Sequence, residues 1–113
     1  MLTVKETGLL LNIIERCKRI EEKSVGLTRE MLDQDEDIRE IICFNILQIG
    51  ELSKHLPNEF CRTYNQVPWN QIKGMRDKVA HGYDTIDQKR IWETIQEDVV
   101  PLREYCENIL KSN

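Results

Sequence analysis

The chain has 113 residues and a net charge of −4, with 32% charged and 40% hydrophobic residues. This length suits one domain over residues 1–113, and the composition is that of a globular chain rather than a disordered one. The longest apolar runs, which begin at Leu9 and Ile41, are far shorter than the roughly 20 residues that span a membrane, and Lys5 interrupts any secretory leader. We therefore expect a cytoplasmic protein with no membrane partner.

Helical periodicity dominates the first half of the chain. Apolar residues spaced by three and four predict a first helix from about Val4 to Lys23. Gly26 ends that region, and Thr28 to Asp33 are expected to link onward to the next helix. The acidic run at 35–37 predicts the start of a second helix, because negative charge is favoured at a helix N-terminus. Pro57 closes that helix, and a connector follows from Asn58 to Val67, with room for a short helical turn.

The second half continues in the same way. Pro68 is placed as the first residue of a third helix that runs to about His81, with Gly82 as its cap. Asp84 or Asp87 caps a fourth helix, which Pro101 should kink or divide. These elements predict an all-α, up-and-down bundle of four to five helices. Its expected core contains Ile13, Cys17, Ile42, Ile46, Ile49, Ile95 and Leu102.

The cysteines do not form a recognisable metal site or disulfide framework. They are widely spaced without a CxxC pair, and the only histidines are His55 and His81. We expect buried or half-buried free thiols, no structural metal and no cofactor. The four residues concerned are Cys17, Cys43, Cys61 and Cys106.

Charge is spread unevenly along the chain. The segment from Thr28 to Phe60 contains eight acidic and three basic residues. The segment from Gln71 to Arg90 contains five basic and three acidic residues. A local basic site on an acidic protein fits a small anionic or single-stranded ligand better than a long duplex.

The residues best suited to chemistry lie in the predicted third helix. Arg76 falls beside the apolar stripe, which is a costly place for a permanent charge unless an anion meets it. His81 follows five residues later, about 140° away on an ideal helix, so periodicity alone does not bring the two together. Two plainer interpretations stay open: His81 caps the helix end, and Arg76 pairs with an acid such as Glu51.

The run from Val67 to Tyr83 resembles a known family. Arg76, His81 and Tyr83 match the RxxxxHxY signature of the HepT-like ribonuclease toxins, in the HEPN superfamily of small helical RNases. The resemblance extends to Ile49-Gly50-Glu51, to Val67-Pro68-Trp69 and to Val100-Pro101-Leu102. One departure is Gly82, which stands where many relatives carry a glutamate.

The resemblance implies a HEPN-like bundle and a function. It implies the toxin half of a HepT/MntA-type, type VII-like toxin–antitoxin pair, a metal-independent endoribonuclease acting as a homodimer. Arg76 and His81 would be catalytic, with Asp77 and Glu51 in support. A cognate MntA-like nucleotidyltransferase antitoxin would transfer AMP to Tyr83 and block RNA entry.

Two other classes of function remain as alternatives. One is a non-catalytic accessory subunit of a nucleotidyltransferase that binds a nucleotide or substrate without cutting RNA. The other is a helical dimer scaffold without a ligand, which leaves the position of Arg76 beside the apolar stripe unexplained. RNA fits the enzyme interpretation better than DNA does, because only RNA carries the 2′-hydroxyl that can attack the adjacent phosphate.

Overall fold

The computed structural model describes residues 1–75 and 87–113, and within these ranges every regular element is a helix. Four longer helices form the body of the fold, and three short helices connect them. The all-α prediction is confirmed. The helices are α1 (Val4–Ser24), α2 (Arg29–Gln34), α3 (Glu36–Lys54), α4 (Asn58–Thr63), α5 (Trp69–Lys73), α6 (Gln88–Glu97) and α7 (Val99–Lys111).

Side-chain caps set where α1 and α3 begin. Thr3 and Glu6 form a capping box at α1, in which the Glu6 N–H donates to Thr3 Oγ1 at 3.0 Å and the Thr3 N–H donates to Glu6 Oε1 at 2.9 Å. The Asp35 carboxylate accepts the Ile38 N–H at 3.1 Å and caps α3. These polar side chains satisfy backbone donors that a helix leaves unpaired in its first turn.

The core forms where α1 packs against α3 and α7. All seven residues of the predicted core are buried, and they belong to one cluster that also contains Phe60, Trp69 and Ile72. Burial of their side chains removes apolar surface from water, which is the main favourable term in folding. The predicted helical stripes therefore identified the buried faces correctly.

The connection between α1 and α3 differs from the prediction. Residues 28–33 were expected to be a link, but Arg29–Gln34 form the short helix α2, which is capped when the Thr28 hydroxyl accepts the Met31 N–H at 3.1 Å. Arg39 of α3 donates to the backbone carbonyl oxygens of Leu32 and Asp33. These bonds satisfy carbonyl groups at the end of α2 and attach it to α3.

The predicted third helix is also shorter than expected. Pro68 precedes the helix as its N-cap instead of being its first residue, and α5 ends at Lys73. Gly74 is the C-cap of α5, and its N–H donates to the Asn70 carbonyl oxygen. A continuous helix from Pro68 to His81 is therefore wrong, because glycine is a poor helix former that allows the chain to turn.

The last predicted helix is divided, as expected from Pro101. A proline ring collides with the carbonyl group four residues earlier, which here belongs to Glu97. Helix α6 ends at Glu97 and α7 begins at Val99, so Pro101 occupies the first turn of α7, where a missing N–H costs nothing. Asp87 is the residue that caps α6, with its Oδ1 3.1 Å from the Arg90 N.

Candidate active site

An aromatic cluster fixes the chain that leads into the RxxxxHxY segment. The indole N–H of Trp69 donates to the Tyr64 carbonyl oxygen at 3.0 Å, and the Trp69 and Phe60 ring centroids lie 5.9 Å apart. Ile72 and Met75 are both 4% exposed, so the approach to Arg76 is anchored in the core. The residues from 87 onward begin with the Asp87 cap of α6.

The predicted catalytic residues lie outside the described part of the chain. Arg76, Asp77, His81 and Tyr83 all fall within 76–86, between the end of the described α5 region and the start of α6. The catalytic parts assigned to Arg76 and His81 therefore stay predictions, as does the part assigned to Tyr83.

Glu51 is the one predicted site residue within the described ranges. It lies in the second half of α3, and its Oε1 is 3.4 Å from the Lys54 Nζ, with both side chains a little over two-fifths exposed. An exposed pair of this kind contributes little to stability and leaves the carboxylate accessible to solvent. Helical spacing places Glu51 on the outer side of α3, opposite the buried Ile46 and Ile49.

The same outer side of α3 carries two large apolar residues. Phe44 is 54% exposed and Ile41 is 40% exposed, and their spacing puts them in line with Glu51 along the helix. A shallow depression beside them is lined by Arg16 and Arg19 of α1 and by Glu40 of α3, among others. We call this surface the α3 face.

An open groove with polar and apolar lining residues lies beside α4 and α5 and has a volume of about 850 Å³. Arg62 and Lys73 line it together with Asn58, Asn65 and Asn70, and no described residue in its lining carries a carboxylate. We call it the Arg62/Lys73 groove. Positive charge and amide groups without acidic residues favour an anion, which is notable on a chain of net charge −4.

A smaller cavity of about 370 Å³ adjoins the groove, because Val67, Pro68 and Gln71 line both. Its lining combines buried apolar residues such as Leu102 with polar groups of α6 and α7, among them Glu97 and Tyr105. We call it the Tyr105 cavity. Neither feature was predicted from the sequence, since exposed polar residues show no pattern along the chain that brings them together.

The cysteines have the exposure expected of buried or half-buried free thiols, since Cys61 is partly exposed and the other three are buried. Burial raises the pKa of Cys17 well above its usual range, and the nearby Cys106 thiol contributes to the shift. Burial also raises the pKa of Cys106 to about 12, with a smaller contribution from Glu107. The pKa of Cys43 is raised by burial as well. Such thiols stay protonated near neutral pH and are poor nucleophiles.

Comparison with known proteins assigns the chain to a family. The sequence profile described as "Ribonuclease HepT-like" matches residues 13–109, which include both flanks of the candidate site and the RxxxxHxY segment. The chain belongs to the HepT-like ribonuclease family. This HepT-like sequence therefore falls in a family of ribonucleases, as its motif residues predicted.

Several relatives match this chain over most of their own length. A provisionally named RNase of Caldanaerobacter subterraneus is 33% identical over 90% of this chain and 91% of its own length. A protein of Thermococcus cleftensis named a probable ribonuclease HepT is 34% identical over 90% of this chain and 93% of its own. A provisionally named RNase of Methanocaldococcus jannaschii is 30% identical over 92% and 86%. No solved structure matches the HepT-like chain significantly.

Among residues 1–75 and 87–113, no helix of this HepT-like chain has the length and apolarity needed to cross a bilayer.

Proposed function

We propose that this HepT-like chain is the toxin of a toxin–antitoxin pair and cleaves cytoplasmic RNA without a metal ion. The observation that carries the proposal is the match to the ribonuclease family over residues 13–109, together with Arg76 and His81 at the spacing of the RxxxxH motif. The relatives named as RNases support the same class of activity.

The chemistry follows from the residue types. The ribose 2′-hydroxyl loses its proton to the His81 imidazole as its oxygen attacks the adjacent phosphorus, since histidine has a reference pKa near the working pH. The bond from phosphorus to the 5′-oxygen breaks, which leaves a 2′,3′-cyclic phosphate, and a second histidine protonates the leaving oxygen. The planar guanidinium of Arg76 binds the phosphate in two places and stabilises the charge of the transition state.

Glu51 and Asp77 have supporting parts in this proposal. Glu51 lies on the outer side of α3 with its carboxylate partly exposed, where an ion pair with the arginine would fix the direction of the guanidinium. Asp77 directly follows Arg76 in the sequence and adds a second acceptor for positioning.

A homodimer supplies the second histidine. The α3 face offers Phe44 and Ile41 as exposed apolar residues, with the basic Arg16 and Arg19 on its α1 side and the acidic Asp37 and Glu40 on α3 itself. A two-fold axis through such a face sets the basic side of each copy against the acidic side of the other, so the surface is complementary to itself. The partial exposure of Glu51 on the same side of α3 is consistent with a site shared between two copies.

Regulation is proposed at Tyr83. A nucleotidyltransferase antitoxin transfers AMP from ATP to the phenol oxygen, with release of pyrophosphate, and the new phosphodiester anion lies close in sequence to Arg76 and His81. The anion occupies the phosphate site and neutralises the charge that attracts RNA. Tyr83→Phe should retain RNase activity and escape neutralisation; a Tyr83→Phe chain that the antitoxin still inhibits fully would show that inhibition needs binding alone.

The decisive experiment incubates the purified protein with total RNA in EDTA beside His81→Ala and Arg76→Lys. We expect cleavage with cyclic phosphate ends by the native protein, none by His81→Ala and severe impairment in Arg76→Lys, because lysine cannot bind a phosphate in two places at once. Equal cleavage by native and His81→Ala protein would rule out the mechanism. Binding of RNA or nucleotide without cleavage by the native protein would favour the accessory-subunit alternative.

A further inference from the structure

The Arg62/Lys73 groove has the chemistry of a site for a polyanion. Its two cations come from different helices, Arg62 from α4 and Lys73 at the end of α5, so they line the groove from two elements. Asn58, Asn65 and Asn70 add amide groups that can donate hydrogen bonds to phosphate oxygens. Proteins that bind single strands use such positively charged grooves to follow the sugar–phosphate backbone.

The Tyr105 cavity has a different chemistry, which suits a nucleobase. Val67, Ile72 and Leu102 give it an apolar lining, and all three are at most 4% exposed. Tyr105 is 38% exposed and provides an aromatic ring on which a base can stack. The volume of about 370 Å³ falls within the range of small-molecule pockets.

The Arg62/Lys73 groove and the Tyr105 cavity adjoin each other, so one strand can occupy both. Pro68 and Gln71 line both, so a strand whose phosphates lie in the groove can place a base in the cavity. Met75 also lines the cavity and directly precedes Arg76 in the chain. A strand bound here therefore passes Met75, the residue that precedes the RxxxxHxY segment in the sequence.

Two carboxylates line the cavity, Glu97 and Asp98, and Glu97 is the one assigned to the base. A carboxylate only accepts hydrogen bonds, and guanine is the base whose Watson–Crick edge presents two neighbouring donors, N1–H and the N2 amino group. Adenine presents an acceptor beside its amino group, and uracil presents one N–H between two carbonyl groups. The acidic cavity also repels phosphate, which keeps the backbone in the groove.

We propose that the groove and the cavity form an RNA subsite beside the cleavage site, in which Arg62 and Lys73 bind backbone phosphates and the Tyr105 cavity takes a guanine base. The inference rests on the proposed ribonuclease function, because it names how that substrate is held. It assigns a sequence preference to the enzyme, with guanine next to the cleaved position.

The test measures binding without cleavage. The probes are short fluorescent 2′-O-methyl oligouridines that carry one central guanosine, inosine or adenosine, since the methyl group removes the attacking hydroxyl. By fluorescence anisotropy, the guanosine probe should bind the native protein about tenfold tighter than the adenosine probe. Inosine lacks the N2 amino group and should fall between them.

Variants separate the two parts of the subsite. Arg62→Gln and Lys73→Gln should weaken all three probes by a similar factor, and each should reduce the dependence of log affinity on log salt by about 0.7. Lys18→Gln, at an exposed lysine of α1, is the matched control. If Arg62→Gln and Lys73→Gln bind as Lys18→Gln does, the groove is not the backbone site.

Glu97→Gln should bring the three probes to within about twofold of one another, because an amide cannot accept both guanine donors. Glu104→Gln, at an exposed carboxylate of α7, should leave the preference unchanged. A guanosine preference that persists in Glu97→Gln, or that is absent from the native protein, overturns the assignment of the cavity. Because the probes cannot be cleaved, a protein that cuts no RNA can still show this pattern, and an active RNase can fail to show it.

Discussion

At the scale of single residues, two glycines test the backbone conformation. Replacing each of them by alanine should change the free energy of unfolding in opposite directions. Gly8 lies in α1 with nothing near the position of a side chain, whereas Gly26 has a φ of 71° in the left-handed region. Gly8→Ala should raise the free energy of unfolding by about 0.5–1 kcal/mol, because alanine restricts the unfolded chain and favours the helix.

Gly26→Ala should lower that free energy by about 1–2 kcal/mol, since a Cβ atom is strained at positive φ. Urea denaturation of both variants beside the native protein measures the two shifts. Two shifts of the same sign would contradict the backbone conformation assigned to Gly26.

The buried thiols predict how stability changes with pH. Their pKa is about 9 in an unfolded chain, whereas burial raises the folded pKa of Cys106 to about 12 and that of Cys17 further. The folded state therefore holds these protons more tightly, so the contribution is complete below pH 9 and is lost as pH rises from about 9 to 12. At pH 10 the loss should be on the order of 1 kcal/mol for each thiol.

Denaturation at pH 8, 9 and 10 measures this loss. The double variant Cys17→Ala/Cys106→Ala is the comparison, because it removes both groups and should decline less steeply over the same interval. Its lower stability at every pH is expected from the lost packing and does not affect the comparison of slopes. Parallel curves for the two proteins would show that the thiols ionise equally in both states.

At the scale of elements, one ion-pair cluster attaches α7 to α1. Arg103 donates from Nε and Nη2 to the Glu21 carboxylate at 2.6 and 3.0 Å, and from Nη1 to Glu107 at 2.5 Å. The hydrogen bonds to Glu21 and Glu107 raise the pKa of the Arg103 guanidinium above its usual value. The cluster is only about a quarter to a third exposed, so it is less screened than a surface pair.

Arg103→Met should therefore lower the free energy of unfolding by about 1–2 kcal/mol, because it leaves the Glu21 carboxylate partly buried without this partner. Arg29→Met is the matched control, since Arg29 pairs with Asp33 within α2 and both side chains are more than a third exposed. That variant should cost about 0.5 kcal/mol or less. Equal losses of unfolding free energy in the two variants would show that the contact between α7 and α1 stabilises the fold no more than the local pair in α2 does.

Local signals in the sequence were sufficient for some helix ends and insufficient for others. Pro101 predicted the division between α6 and α7, because its steric conflict depends only on residues of the same segment. The stop after Lys73 was missed, since the Trp69 and Ile72 spacing continues to look helical past Gly74. Helix α2 was missed as well; it is held by bonds from Arg39, which lies in a different helix.

At the scale of the whole molecule, the proposed dimer can be tested on the α3 face. Phe44→Glu places a charge at the centre of the face, and Phe44 is exposed enough that the fold of one copy should not change. We expect light scattering at micromolar concentration to give a dimer for the native protein and a monomer for Phe44→Glu. Val25→Glu, at an exposed residue beyond α1, should remain dimeric.

A charge exchange tests the pairing more directly. Arg19→Glu and Glu40→Arg should each weaken the dimer, and the double variant should restore it, because both contacts across a two-fold axis are then reversed together. A native monomer, or a dimer unaffected by Phe44→Glu and by either charge variant, would place the interface elsewhere.

The sequence by itself determined the helical class, the buried stripes and the family. Periodic apolar residues such as Ile42, Ile46 and Ile49 reveal the inner side of a helix, because that signal depends on spacing along one element. The family was already indicated by the run from Val67 to Tyr83, and the match over residues 13–109 confirmed it. The parts assigned to Arg76 and His81 stay predictions.

Only the tertiary structure decided which distant residues share a surface. Arg62 and Lys73 lie on different helices, and Glu97 and Tyr105 on two others, yet they line adjoining sites around Pro68 and Gln71. Exposed polar side chains carry no periodic constraint, so their sequence positions do not report their neighbours. Their arrangement depends on the tertiary structure, in which α5 packs against α3 and lies across the Tyr105 cavity from the break between α6 and α7.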